Sequence, residues 1–440
     1  MTESRGMLLA ILLLLLLLPG GGALEVQVGP TDRPAGAVIL VIDGLGSSYV
    51  YPEHNAYALD GSPLGKAVLF NLTGGGARAV DVRVPVPETT KSHSILVTGR
   101  TGADWNQLGP TIFDLARERG YLCLAIMERG DSMSILEEMD AVLYLEDNSL
   151  RGAEPIPGFS SSAPAGLTVL FQEWRDRFAE YSNPQGIHGY AGYNAWALDA
   201  AADTVEHLIG KPFILLVNAG AVDSAGHNLN ASGYLKAVEA LDEPLGRLAG
   251  ACRRNEILLV VTADHGMVFP DPKGKGGHSA EKYAARLEAL RVPLVITGPG
   301  IEELNLGGLW SEVDVAPTVL SLLEISSNES TEGLSLPIRA GSTLRVRGAP
   351  AGLELWRDGI RLAAASGDEE ELFQGLVRGE YTLRGEGLSM RLLVDGEQSV
   401  DLTGEKALPE GVRRGMGVAM ILVINLAGTA AIVRIWRREE

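Results

Sequence analysis

The feature that most restricts the possible folds is a series of short, uninterrupted apolar runs. The first, Ala37–Ile42, is followed directly by Asp43 and Gly44. A run of this length without polar alternation is typical of a parallel strand that is buried on both faces of a sheet. Similar runs recur along the chain at residues 122–127, 213–218, 257–263 and 292–297.

Segments with helical patterns lie between these runs. They occupy residues 111–120, 194–210, 233–254 and 313–323. Strands that alternate with helices predict an α/β fold with a doubly wound, mostly parallel sheet, which we place in a domain of residues 25–330. In such folds the chemistry lies beyond the carboxyl ends of the strands.

The pattern changes after this domain. Residues 335–405 contain short apolar runs separated by turns, with hairpin signals at Asp358-Gly359 and Asp395-Gly396. This pattern predicts a small all-β, β-sandwich-like module. Its composition is compatible with a spacer, a lid or a partner-binding domain.

The N-terminal segment has the sequence features of a targeting signal. Met7–Leu18 is unbroken apolar sequence and is followed by Pro19, a glycine cluster and Ala23. These features predict a signal peptide over residues 1–24, with an uncleaved anchor as the alternative.

The C-terminal segment predicts a membrane anchor. Met416–Val433 is apolar except for Asn425 and Thr429, and arginines flank it on both sides. We expect a transmembrane helix over residues 411–436 with a cytoplasmic tail to residue 440, the alternative being an amphipathic helix docked on the core. The two ends together predict a single-pass membrane protein whose domains are extracytoplasmic.

The charge balance and the cysteine count exclude several classes of protein. The chain has 37 lysines and arginines against 56 aspartates and glutamates, a formal net charge of −19. Nucleic-acid binding needs a basic surface, so we expect no nucleic-acid partner. Two cysteines exclude a disulfide-built scaffold and a four-cysteine zinc module.

Carboxylate and imidazole groups follow three of the predicted strands. Asp or His at one strand end commonly caps a helix or braces a loop, and each residue alone has that alternative. Their joint occurrence at one edge of one sheet instead predicts a site for two divalent metal ions, for which Zn²⁺ is the expected metal. The candidate ligands are Asp43, Asp223, His227, Asp264, His265 and His278.

A cluster of hydroxyl residues offers a nucleophile. Thr89-Thr90-Lys91-Ser92-His93 precedes a helix-like segment that ends at Gly99. A hydroxyl group at a helix N-terminus and next to a cation has a lowered pKa and can attack phosphorus. A cluster of helix-capping residues is the structural alternative.

Together these motifs resemble the alkaline phosphatase superfamily over residues 37–325. The segment from Val313 through Asp314 and Pro317-Thr318 is also similar to the closing helix of that family. The resemblance implies an alkaline-phosphatase-type sheet and a two-metal site.

The resemblance also implies how the site residues divide. Asp223, His227 and His278 would hold one metal ion, and Asp43, Asp264 and His265 the other, with the nucleophile bridging them. In the related phosphodiesterases and mutases the nucleophile lies four residues before a histidine and ten before the helix glycine. Both counts favour Thr89 over Thr90.

The implied function is a membrane-anchored, extracytoplasmic, metal-dependent hydrolase of phosphate esters that forms a phosphothreonine. The substrate would be a phosphorylated small molecule or glycoconjugate, and Arg100 and Arg129 are candidates for binding its phosphate oxygens. In sulfatases the nucleophile is a Cys or Ser followed by x-Pro-x-Arg. At that position this chain has Thr89-Thr90-Lys91-Ser92-His93, which departs from the pattern and argues against sulfate esters. Two alternatives stay open: a phosphoryl or phosphoethanolamine-type transferase, and an inactive surface-binding protein that keeps the fold.

Overall fold

The computed structural model describes most of the chain between residues 34 and 402. Contacts within the chain divide it into two compact units, Thr31–Ala340 and a unit that contains the described residues from 342 onward. The described residues are 34–69, 75–103, 105–128, 133–145, 154–182, 186–323, 325, 331–338, 342–365, 367, 370–376, 379–394 and 398–402.

Nine strands in the described part of the first unit form one sheet, in the order β5-β4-β3-β6-β1-β7-β8-β2-β9. Five of the pairings are parallel and three are antiparallel, so the predicted mostly parallel α/β sheet is confirmed. The strands are β1 (Gly36–Val41), β2 (Ala77–Arg83), β3 (Leu122–Glu128), β4 (Ala141–Leu145), β5 (Ile156–Phe159), β6 (Phe213–Asn218), β7 (Ile257–Thr262), β8 (Arg291–Thr297) and β9 (Leu304–Ser311).

The three central strands form the core of the sheet. Every residue of β1, β6 and β7 is buried, and these strands lie in the middle of the sheet. The pairing of β1 places Val41 opposite Asn218 of β6 on one side and Thr262 of β7 on the other. Three strands therefore end side by side at the same edge of the sheet.

Helices connect the strands of this unit. They are α1 (Thr89–Thr98), α2 (Ile112–Arg117), α3 (Met133–Glu137), α4 (Ala165–Ser182), α5 (Ile187–His207), α6 (Ala221–Asn228), α7 (Ala231–Glu239), α8 (Asp242–Arg254), α9 (Glu281–Ala284), α10 (Leu287–Leu290) and α11 (Val315–Leu322), with 3₁₀ turns at Ser47–Tyr49 and Glu312–Asp314.

Two features of this unit differ from the sequence reading. The segment predicted as one helix over residues 233–254 is two helices, α7 and α8. Pro244 explains the break, because proline has no N–H to donate to the carbonyl of Ala240 and its ring clashes with that carbonyl. Strand β8 is antiparallel to both of its neighbours, β7 and β2, although its apolar run resembles that of a parallel strand.

The described residues of the second unit, from 342 to 402, form strands and turns, as the turn pattern predicts. A three-stranded sheet (β13-β10-β16) and a four-stranded sheet (β12-β11-β14-β15) enclose buried Leu344, Leu355 and Tyr381. The predicted turn Asp358-Gly359 joins β11 to β12, and both of its residues have positive φ, as a tight hairpin requires. The strands are β10 (Ser342–Arg347), β11 (Glu354–Arg357), β12 (Ile360–Ala364), β13 (Glu370–Leu376), β14 (Gly379–Gly385), β15 (Leu388–Val394) and β16 (Gln398–Asp401).

No helix within the described ranges is long and apolar enough to cross a membrane. The predicted signal peptide (residues 1–24) and transmembrane helix (residues 411–436) both lie outside the described residues.

Because β1 is the centre of the core, truncation of its buried side chains should be costly. We expect Ile39→Ala to lower the free energy of unfolding by about 2–5 kcal/mol, since Ile39 is fully buried and leaves a cavity. Leu309→Ala on edge strand β9, where the side chain is 65% exposed, should cost less than about 0.5 kcal/mol. Urea denaturation measures both; equal losses would contradict the central position of β1.

Candidate metal centre

The first group of candidate ligands consists of Asp43, Asp264 and His265, which follow the neighbouring ends of β1 and β7. Asp43 and Asp264 each follow their strand by two residues, and the register of the two strands places them beside each other. The Nε2 atom of His265 lies 3.4 Å from Asp43 Oδ1 and 3.4 Å from Asp264 Oδ2. All three side chains are at most 1% exposed. One donor atom of each residue lies within 4.8 Å of the others, a spacing that a single ion can span.

The second group combines helix α6 with a later loop. Asp223 and His227 lie four residues apart and therefore on the same face of α6. The Nε2 atom of His227 is 3.3 Å from Asp223 Oδ1 and 3.2 Å from the Nε2 atom of His278. His278 Nε2 is 3.6 Å from Asp223 Oδ1. These donor atoms also lie within 4.8 Å of one another.

The two groups are in contact through a pair of histidines. The rings of His265 and His278 are stacked, with centroids 3.6 Å apart and an interplanar angle of 9°. Each ring belongs to a different group, so the two groups form one continuous centre.

Backbone carbonyls select the tautomer of all three histidines. The Nδ1 atoms of His227, His265 and His278 lie 3.2, 3.0 and 2.8 Å from the carbonyl oxygens of Gly276, Gly266 and Pro87. A carbonyl oxygen only accepts, so each Nδ1 carries a proton and donates it. The Nε2 lone pairs are thereby left toward the carboxylates, which is the arrangement that metal-ligating histidines use.

Backbone donors orient one of the aspartates. Asp264 Oδ1 accepts hydrogen bonds from the N–H groups of Gly44 (3.1 Å) and His265 (2.9 Å). Its other oxygen, Oδ2, is buried and accepts no hydrogen bond from the described residues. Position 44 needs glycine, because φ is +78° and an added Cβ would lie 2.9 Å from Asp223 Cα. The tight turn after β1 therefore brings the two groups together.

The buried carboxylates of the site require compensating positive charge. Asp223 Oδ1, like Asp264 Oδ2, is buried without a hydrogen-bond donor from the described residues. Buried carboxylate oxygens without donors are costly, and a bound cation is the usual compensation. Carboxylate oxygens and imidazole nitrogens are donors that Zn²⁺ binds, so both groups fit a divalent metal ion.

The pKa shifts of Asp223 and His278 favour the ligating forms of these two side chains. Burial alone would raise the pKa of Asp223, but its contact with His227 is the main cause that lowers it below its usual value. Burial and His265 lower the pKa of His278 to about 4, so its imidazole is neutral at pH 7. The contact with Asp223 raises the pKa of His227, because the carboxylate stabilises the protonated ring. A cation in this group would take the place of that proton.

The predicted nucleophile lies at the same centre. Thr89 is the first residue of α1, and its Oγ1 is 3.0 Å from His265 Nε2. The first N–H groups of a helix have no partner within the helix and favour a negative charge in front of them. A hydroxyl group here lies between a candidate metal group and a source of positive potential.

The two arginines predicted to bind phosphate have different outcomes. Arg100 lies beyond the C-terminal end of α1, and its guanidinium donates to the carbonyl oxygens of Leu108 (2.7 Å) and Pro110 (3.0 Å). The ten residues of α1, about 15 Å of helix, separate it from Thr89. The structure therefore does not bring Arg100 to the metal residues. Arg129 lies outside the described residues.

The sequence reading missed a buried carboxyl group behind the nucleophile helix. Glu312 is 1% exposed, and its Oε1 contacts the hydroxyl of Ser92 on α1. The sequence signal for Glu312 is an acidic residue directly before Val313. Acidic residues are common at the start of a helix, so this signal alone does not indicate a functional role.

Comparisons with known proteins agree with this geometry. A sequence model of the metalloenzyme superfamily matches residues 35–327. A 2,3-bisphosphoglycerate-independent phosphoglycerate mutase from Rhodopirellula baltica is 30% identical over 286 residues, which are 60% of this chain and 49% of that protein. A mutase of the same name from Cereibacter sphaeroides is 33% identical over 144 residues, 31% of this chain and 27% of that protein. The chain thus spans about half or less of the length of these relatives.

A solved structure supports the fold. The wild-type alkaline phosphatase PafA matches with a TM-score of 0.50 and 14% identity, over 71% of this chain and 100% of that one. At this identity the likeness concerns the fold alone.

The match of residues 35–327 contains the whole main sheet and both ligand groups. The chain belongs to the metalloenzyme superfamily, and its predicted resemblance to the alkaline phosphatase superfamily is confirmed. Membership implies divalent metal ions, for which the two groups are the candidate sites.

The two groups should bind metal separately. We expect about two zinc ions per chain in zinc-loaded protein, and about one in either Asp223→Asn or Asp264→Asn, because each change removes a carboxylate from one group only. Inductively coupled plasma mass spectrometry measures the content, with the exposed Asp176→Asn as the matched control. Unchanged metal content in both ligand variants would contradict the assignment.

Proposed function

We propose that this protein is a metal-dependent hydrolase of phosphate esters in which Thr89 is the nucleophile. The observation that carries the proposal is the 3.0 Å distance between Thr89 Oγ1 and His265 Nε2, at the point where the two ligand groups meet. A hydroxyl group needs activation to attack phosphorus, and metal ions bound beside Thr89 would supply it by lowering the pKa of the hydroxyl.

Two bound divalent ions would neutralise phosphate charge and lower the pKa of the Thr89 hydroxyl and of the hydrolytic water. Thr89 Oγ1 then forms a bond to phosphorus while the ester P–O bond breaks and the alcohol leaves with a proton. Water cleaves the resulting phosphothreonine and restores the hydroxyl. The N-terminal amides of α1 face the negative charge that accumulates on the phosphate oxygens.

Transfer of the phosphoryl group to an alcohol is the second candidate. It is favoured by the similarity to phosphoglycerate mutases. The short spacing of thirteen residues between His265 and His278 is also similar to that of mutases and ethanolamine-phosphate transferases. An alcohol in place of water would resolve the same phosphothreonine. We favour hydrolysis because the chain matches half or less of the length of the mutases. The segment between Gly99 and Phe213 has only about a hundred residues, so the long inserted domain of the mutases does not fit there.

An inactive surface-binding protein is the third reading. Against it stand the complete set of six ligands and the contact of Thr89 with His265. We further propose that residues 1–24 direct export and that residues 411–436 anchor the protein, so that its substrate is an extracytoplasmic phosphorylated small molecule or glycoconjugate.

The reaction class is tested with zinc-loaded full-length protein and a panel of aryl phosphate monoesters, phosphodiesters and sulfates. The proposal expects turnover of a phosphate ester and about two zinc ions per chain. Transfer to an added alcohol faster than hydrolysis would favour the transferase. Well-folded, metal-loaded protein without turnover of any phosphate ester would overturn the enzyme reading.

Thr89→Ala should lower kcat by about a thousandfold or more, because it removes the nucleophile while leaving the six other ligands in place. Covalent phosphate on the protein after acid quench, located by peptide mass spectrometry, should disappear in the same variant. Thr90→Ala is the matched control and should keep the labelled peptide. Label that persists in Thr89→Ala and is lost in Thr90→Ala would move the nucleophile to residue 90.

A further inference from the structure

A buried acid links the nucleophile helix to the metal-ligand segment. The Ser92 hydroxyl on α1 contacts Glu312 Oε1 and lies 2.5 Å from the backbone oxygen of Asp264. Ser92 is fully buried and Glu312 is 1% exposed. Neither side chain belongs to the six-ligand set.

The number of protons in this contact determines its direction. A serine hydroxyl has one hydrogen, and the backbone oxygen of Asp264 can only accept it. If Ser92 donates to Asp264, the second short contact requires a proton from Glu312. One hydrogen cannot be donated to both oxygens at once, so both contacts are satisfied when a neutral Glu312 donates to Ser92 and Ser92 donates to Asp264.

The surroundings of Glu312 agree with the neutral form. Its other oxygen, Oε2, is buried and accepts no hydrogen bond from the described residues, a cost that is smaller for a neutral acid than for a carboxylate. Burial raises the pKa of Glu312 well above its usual range, and the negative charge of Asp264 raises it further.

This chain of hydrogen bonds joins three parts of the site. Ser92 lies three residues after Thr89, one helical turn along α1. Asp264 is followed by His265, whose Nε2 is 3.0 Å from Thr89 Oγ1. Glu312 comes from the turn before α11, so the closing segment also holds the first turn of α1 against the end of β7.

We propose that Glu312 is a positioning residue, which donates a hydrogen bond to Ser92 and thereby holds Thr89 at a fixed place relative to Asp264 and His265. The inference rests on the proposed role of Thr89. Packing alone does not account for a glutamate here, because an apolar residue of similar size would fill the space without the desolvation cost of a polar group.

The test uses zinc-loaded full-length protein with four single variants and the double variant Glu312→Leu/Ser92→Ala. Glu312→Gln keeps a neutral donor, Glu312→Leu removes it at similar volume, and Ser92→Ala removes the link by deleting one oxygen atom. Glu302→Leu, at an exposed glutamate, is the matched control. Wild type and Thr89→Ala are assayed in parallel, so that absence of turnover in the wild type is recognised as failure of the proposed function.

We expect Glu312→Gln to retain kcat within about threefold of the wild type. Glu312→Leu and Ser92→Ala should each lower kcat by about ten- to a hundredfold, with KM changed less than about twofold and zinc content unchanged. The double variant should be no slower than the slower single variant, because both changes break the same chain. Loss of kcat in Glu312→Gln equal to that in Glu312→Leu, or full activity in Ser92→Ala, would overturn the proposal.

Infrared difference spectroscopy measures the protonation of Glu312 independently of any activity assay. A protonated-carboxyl band should be present in wild-type protein at pH 8 and missing from Glu312→Gln. It should shift in Ser92→Ala, where the acceptor is lost. Absence of this band from well-folded wild-type protein would overturn the neutral-donor role even if turnover is normal.

Discussion

The parallel pairing of β1 with β6 and β7 determines where the candidate metal ligands lie. Because Val41 lies opposite both Asn218 and Thr262, three strands end together and their continuations meet. Asp43 and Asp264 follow directly, and the turn at Gly44 brings Asp223 of α6 against them. The burial of these strands thus stabilises the sheet and also concentrates carboxylates at one edge.

Three buried aspartates at one place would be unstable without positive charge. Backbone groups arrange the site for cations: two N–H groups occupy one oxygen of Asp264, and carbonyl oxygens hold the Nδ1 proton of each histidine. The Nε2 atoms and the remaining carboxylate oxygens are left as ligands. The hydroxyl of Thr89, the proposed nucleophile, lies at the N-terminus of α1, next to a candidate metal ligand and at the positive end of the helix.

Much of this arrangement could be predicted from the sequence. Apolar runs that end in Asp or His reveal both the strand and its chemistry, so the sheet and the convergence of the six candidate ligands followed from local patterns. Features that depend on distant contacts could not be read. The apolar run of β8 does not indicate its antiparallel direction. The sequence also does not show that the guanidinium of Arg100 donates to backbone carbonyl oxygens. The contact of Ser92 with Glu312 joins residues that are 220 positions apart in the sequence.

Anomalous X-ray diffraction at the zinc edge, from crystals of the zinc-loaded protein, tests the central claim most directly. We expect two peaks, one bound by Asp223, His227 and His278 and the other by Asp43, Asp264 and His265, with Thr89 Oγ1 in contact with at least one of them. Anomalous density confined to other residues, or no zinc at either group in well-ordered crystals, would contradict it.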